Sequence, residues 1–193
     1  MKSRTATGIV AAVAVVLLGA GTAQAAPVSQ MDRTFAVKAA QGGMAEVQAA
    51  QIALQRGVNG DVRTFAQHML DDHSRANDQL KGIASDQGIM LPARTDPTHQ
   101  MALRKLSRLS GPQFDRVYMM GQVKDHVATV NLFRREAASG RNGALRQFAV
   151  STLPTLRQHT NMSYHVASIV APNPRMGMYA HRRSIMMRHM GGM

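Results

Sequence analysis

GVNGDVRTFAQHML, Gly57 to Leu70, and GRNGALRQFAVSTL, Gly140 to Leu153, decide the fold. Glycine, asparagine, arginine, phenylalanine, alanine and leucine recur at matching places in the two segments, 83 positions apart (140 against 57). In each copy a Gly-x-Asn-Gly turn is followed by apolar residues at helical spacing, with the asparagine placed to cap the coming helix. Each copy therefore reads as the loop and second helix of a helical hairpin. Two such hairpins joined by a long crossover describe an all-α, ferritin-like up-down four-helix bundle.

Working outward, the first helix is expected from about Gln30 to Arg56, with the pair Gly42-Gly43 in its middle either weakening it or permitting close packing. The second runs from Asn59 to about Gln87 and stops at Gly88. The crossover GIMLPARTDPTHQ contains Pro92 and Pro97, and Asp96-Pro97 can start a short helix through Leu109. Ser110-Gly-Pro-Gln113 fits a capping box for the third long helix, which ends near Ser139-Gly140. Asn142 caps the fourth, which reaches about Val170 and should kink at Pro154. Alternating strand patterns are missing throughout.

The two ends differ from this domain. Lys2 and Arg4, the apolar run Ile9–Leu18 and the small-residue site Ala23-Gln24-Ala25 read as a cleavable signal peptide over residues 1–25. The apolar run is too short to span a bilayer. The expected product is a bundle over 26–170, periplasmic or secreted, followed by a tail at 171–193. The formal net charge is +12, of which Lys2 and Arg4 contribute two. The remaining basic residues are spread along the chain outside the tail rather than gathered in one run, so a basic solvated surface is expected and nucleic acid is not. No cysteine is present, which excludes a disulfide framework and a cysteine-linked lipid anchor.

Placed at about 100° per residue, the polar groups separate into two sets. In FAQHMLDDHSRAN, Phe65 to Asn77, His73 shares the stripe of Phe65, Met69, Ala76 and Leu80. His68, Asp71 and Arg75 face away, and Asp72 lies at the edge. Glu46 falls among Phe35, Ala39, Ala50 and Ala53 on the first helix. His126 falls among Met119, Val130 and Phe133 on the third, and His159 among Phe148, Thr152, Leu156 and Val166 on the fourth. Each inner face thus carries an ionisable group near its centre.

A buried ionisable group is costly unless it is paired or bound to metal. One carboxylate and three imidazoles, Glu46, His73, His126 and His159, form a donor set suited to zinc, iron or copper. Asp115 and Tyr118, on the same side of the third helix, would stand behind the imidazoles. The competing expectation is a metal-free polar network, each histidine neutral and hydrogen bonded to Glu46, Asp115 or Tyr118. A di-iron carboxylate centre is excluded: it needs Glu-x-x-His on two helices, and Leu70 and Leu156 stand three residues before His73 and His159. Neither a G-x-S-x-G elbow nor a phosphate-binding glycine loop is present, so binding or homeostasis is expected rather than catalysis.

The segments AAQGGMAEV (Ala39–Val47), VRTFAQHMLDDHSRAN (Val62–Asn77), LSGPQFDRVYMMGQVKDH (Leu109–His126) and STLPTLRQHT (Ser151–Thr160) occur in order along the chain. On these motifs, residues 34–171 resemble the bacterial family called domain of unknown function 4142, whose members are described as outer-membrane or exported proteins. The resemblance implies a ferritin-like helical bundle and export, and no established reaction, cofactor or partner. The tail lies beyond it. There Met186, Met187, His189 and Met190 offer thioether and imidazole donors suited to copper, while Arg182, Arg183 and Arg188 would instead suit an anionic membrane surface.

Overall fold

The computed structural model describes residues 28–172. The expected signal peptide and the Met/His tail site at Met186, Met187, His189 and Met190 lie outside the described residues. Those described form five α-helices and no strand: α1 (Gln30–Arg56), α2 (Gly60–Asp86), α3 (Pro97–Leu106), α4 (Gly111–Ser139) and α5 (Gly143–Val170). None of these helices is long and apolar enough to cross a membrane.

The helix starts are fixed by side chains that satisfy otherwise free backbone N–H groups. Ser29 and Asp32 form a reciprocal capping box on α1. Asn59 Oδ1 accepts from Asp61 N at 2.8 Å and Val62 N at 3.3 Å on α2. Asn142 Oδ1 accepts from Leu145 N at 3.0 Å on α5, and Asp96 caps α3 ahead of Pro97. The capping box expected at Ser110 does not form: Ser110 makes no side-chain cap bond. Gly111, at φ 60°, turns the chain there in the left-handed region, and Pro112 has no N–H to satisfy. Helix α5 continues through Pro154. That residue lies on the exposed side, where water can take the carbonyl it leaves unpaired.

Helices α1 and α2 pack together, as do α4 and α5, and the hairpins meet through α1 against α4 and α2 against α5. Helix α3 lies on α1 and α4. Two aspartates tie the hairpins at opposite ends. Asp115, at the start of α4, accepts from Val58 N at 3.2 Å and Asn59 N at 2.9 Å in the α1–α2 turn. Asp32, at the start of α1, accepts from Arg141 N at 2.9 Å in the α4–α5 turn. These contacts make α1 antiparallel to α4 and force the crossover to travel the length of the bundle. The two aspartates are separated by the same 83 positions as the repeated turns (115 against 32).

The core is divided. One cluster gathers Phe35, Phe133, Leu145, Phe148 and Leu156, and a second gathers Val62, Phe65, Met69, Phe114 and Met119. Full burial of each large side chain contributes roughly 1.5–3 kcal/mol. Between the clusters lies a polar layer.

Candidate metal centre

His73 on α2, His126 on α4 and His159 on α5 are all buried, and one ring nitrogen from each lies within 4.8 Å of the others. Their ring centroids are 5.4 to 5.6 Å apart. The layer touches both halves of the core. Phe65 lies edge-on to His126 at 6.3 Å, and His73 and His159 line a cavity of about 40 Å³ together with Leu80, Phe133, Phe148 and Leu156.

Two of the three rings are oriented by contacts outside the cluster. His126 Nδ1 lies 3.0 Å from the Gln122 carbonyl one turn earlier. That oxygen can only accept, so Nδ1 carries the hydrogen and the Nε2 lone pair faces His73 Nε2 at 3.4 Å. His159 Nε2 lies 2.8 Å from Asp72 Oδ2 and donates to it. His159 Nδ1 is then a buried nitrogen with no hydrogen-bond partner. Asp72 divides its oxygens, Oδ1 pairing with the exposed Arg75.

Burial holds the imidazoles neutral. It pushes His126 and His159 down to about 4. His73 falls well below the usual histidine range, through burial first and then its two imidazole neighbours. The His159–Asp72 contact is therefore a neutral N–H donated to a carboxylate at pH 7, not an ion pair. Neutral imidazole is the form that ligates metal.

Of the four groups expected to converge, the three imidazoles meet and Glu46 stands apart. Its Oε1 is 3.9 Å from His126 Nδ1, on the ring edge opposite the nitrogen that faces His73. Its Oε2 accepts from Gln122 Nε2 at 2.7 Å. Burial raises the Glu46 carboxyl to about 7. Asp115 binds the α1–α2 turn rather than an imidazole. Tyr118 is buried with its hydroxyl unpartnered, and burial followed by the nearby Glu46 pushes that hydroxyl well above its ordinary range. His68 and His165 are exposed, and His99 pairs with Asp96 on α3.

Two contributors were not singled out from the sequence. Asp72 sits at the edge of the inner stripe, and its place next to His73 was the available signal. Gln122 acts through its backbone carbonyl, which any residue would supply, so its position four residues before His126 was the only clue.

Among solved structures, the chain is similar to the crystal structure of a DUF305 fragment from Deinococcus radiodurans. The TM-score is 0.66 at 16% identity, covering 74% of this chain and 99% of that one. At that identity the likeness concerns the fold alone. No curated protein matches the chain. The signature of a family described as "Domain of unknown function (DUF4142)" matches residues 18–166, spanning all five helices up to the last turn of α5, and the chain belongs to that family.

Proposed function

We propose that this protein is an exported, ferritin-like four-helix bundle that binds one transition metal ion through His73, His126 and His159. The observation that carries the reading is the meeting of three neutral imidazoles from three helices, two of them oriented by fixed acceptors on their far nitrogens. Two nitrogens on a tetrahedral ion at about 2.05 Å are separated by roughly 3.3 Å, and His73 Nε2 and His126 Nε2 are 3.4 Å apart. His159 Nδ1 supplies the third lone pair, with Asp72 on its other nitrogen in the carboxylate–histidine–metal arrangement that fixes tautomer and raises ligand basicity.

Three imidazoles suit zinc, iron or copper, and a small molecule or water would complete the shell. We read its role as metal binding or homeostasis rather than catalysis. Export is supported by the residues 1–25 pattern, and the ferritin-like assignment by the two repeated hairpins and their long crossover. A protein recovered outside the cytoplasm with an N-terminus at Ala26 would support export.

The decisive experiment is metal titration of chelator-treated protein by calorimetry, with His73→Ala, His126→Ala and His159→Ala alongside. One equivalent bound by the parent and none by the variants is expected. No binding of zinc, iron(II) or copper would end this reading. A second reading, a metal-free interaction or envelope-stress module, is favoured by one observation: 3.4 Å also suits a hydrogen bond from His73 to His126. It predicts no response of the melting temperature to chelator.

A further inference from the structure

We infer that metal reaches the three imidazoles between α1 and α4, by a passage at Gly42 where the Glu46 carboxyl hands the ion from an outer groove to the inner cavity. The inference rests on the metal reading above and adds the route by which the buried centre exchanges its ion.

The rings are sealed from solvent. His73, His126 and His159 are 6%, 1% and 2% exposed, and a metal site needs an entry path. His73 and His159 border the inner cavity of about 40 Å³. On the outside of the bundle, a groove of about 660 Å³ runs between α1, the start of α3 and α4. Five residues line both spaces: Lys38, Gly42 and Glu46 on α1, and Thr129 and Leu132 on α4. The groove and the cavity therefore share one wall.

The wall contains a ligand. Among the imidazole and carboxyl groups of the two linings, Glu46 alone belongs to both. Its Oε2 accepts from Gln122 Nε2. Its Oε1 receives no hydrogen bond and lies 3.9 Å from His126 Nδ1. The side chain keeps 9% of its surface open. Glu46 thus places an uncommitted oxygen between the groove and the third ring. The other carboxyl at the inner cavity is Asp72, and both its oxygens are engaged. One holds His159 and the other pairs with Arg75, whose charge opposes an incoming cation. Along the groove, Lys38 and Arg135 stand against Asp96 and Asp125. Charge there is close to balanced, so the uncommitted carboxyl oxygen decides the route.

Gly42 supplies the control. It lies one turn before Glu46 on α1, and a Cβ built there meets no atom within 4 Å. Gly42→Leu therefore narrows the junction without displacing an imidazole. Chelator-treated protein is mixed with zinc, and uptake is timed by capturing the remaining free ion with a chromophoric chelator. Release is timed by transfer to an excess of that chelator. Gly42→Leu should slow both steps at least tenfold and leave the dissociation constant within threefold of the parent's. Glu46→Gln keeps an oxygen for Gln122 Nε2 and should slow both steps at least threefold, again with affinity retained. Thr155→Leu, which narrows the inner cavity from α5 and does not line the groove, should exchange zinc at the parent's rate. A ligand or a merely structural residue would change affinity, whereas a passage changes both rates by one factor. Parent-like rates in Gly42→Leu or Glu46→Gln, equal slowing in Thr155→Leu, or faster release with weaker binding in Glu46→Gln would each overturn the route and leave metal binding intact. A parent that takes up no zinc would overturn the route as well, and titration with iron(II) and copper then decides the metal reading separately.

Discussion

Asp72 Oδ2 lies 2.8 Å from His159 Nε2, and this single contact links a half-buried edge of α2 to a buried ring on α5. The carboxylate fixes which nitrogen of His159 carries the hydrogen, leaving Nδ1 with its lone pair. Replacing Asp72 by Asn removes the charge and reduces ligand basicity without removing a proposed ligand. Metal affinity should fall roughly 10- to 100-fold, measured by competition with a chromophoric chelator, while the circular dichroism spectrum stays unchanged. Parent-like affinity in Asp72→Asn would show that the carboxylate does not tune the centre.

Bound metal should also stabilise the fold, because the unfolded chain has no preformed site. At a free concentration one hundred times the dissociation constant, the gain is about 2.7 kcal/mol. Zinc should therefore raise the melting temperature of the parent protein, and a chelator should reverse the rise. His126→Ala, lacking one of the three rings, should show neither response. An equal zinc-induced shift in His126→Ala would place the bound metal elsewhere.

In metal-free protein, pH acts through two opposed sets of groups. His126 and His159 drop from 6.5 to about 4 on folding, so the unfolded chain takes up their protons first. Their contribution is present above about 6.5 and is lost as pH falls toward 4. Glu46 and Glu136 rise from 4.5 to about 7, burial being the largest cause for both. Their contribution is present below 4.5 and is lost as pH rises through 7. Glu46→Gln removes one opposing proton. Its stability should fall more steeply than the parent's from pH 6.5 to 5, by about 1.4 kcal/mol per pH unit, as read from urea unfolding. Parallel curves would mean that Glu46 does not gain a proton on folding.

The repeated turn segments and the helical spacing made the five helices legible, because caps and periodicity are local signals. Gly57 and Gly140 each end a helix, and Asn59 and Asn142 each begin the next. The inward positions of His73, His126 and His159 followed from the same periodicity. Their orientations did not. Glu46 lies on an inner face as the wheel required, yet Gln122 holds it on the far side of His126. That depends on axial rotation between helices 76 residues apart in sequence. Asp115 was legible as an inner polar residue of α4, but its partners are backbone amides of a turn, which carry no sequence mark.

The aspartate ties at the two ends should act independently. Asp115 holds Val58 and Asn59, and Asp32 holds Arg141. Each receives hydrogen bonds on a carboxylate, worth about 1.5–3 kcal/mol apiece to such groups. Burial alone would raise Asp32, but Ser29 and the amides of Asn142 and Arg141 outweigh it and keep the carboxyl below its ordinary value. Asp32→Ala and Asp115→Ala should each destabilise by roughly 2–4 kcal/mol, given the amides left unpaired. The double variant should equal their sum within about 0.5 kcal/mol. A much smaller loss in the double variant would show that one turn opens as soon as the other is freed.

The neighbouring glycines Gly42 and Gly43 should respond in opposite directions, although helix propensity alone treats them alike. A Cβ at Gly42 meets nothing within 4 Å, so Gly42→Ala should gain up to about 1 kcal/mol from propensity. A Cβ at Gly43 would run into Asn77 Oδ1 on α2. Gly43→Ala must therefore displace the amide or part the two helices, at a cost of roughly 1–3 kcal/mol typical of overpacking. The clash is with the end of a side chain, so shortening that side chain should relieve it. Asn77→Ala in the Gly43→Ala background should recover most of the loss, a coupling that denaturant titration of the four proteins measures directly. If Gly43→Ala is as stable as Gly42→Ala, Asn77 rotates away freely and the close approach of α1 to α2 does not depend on the missing side chain.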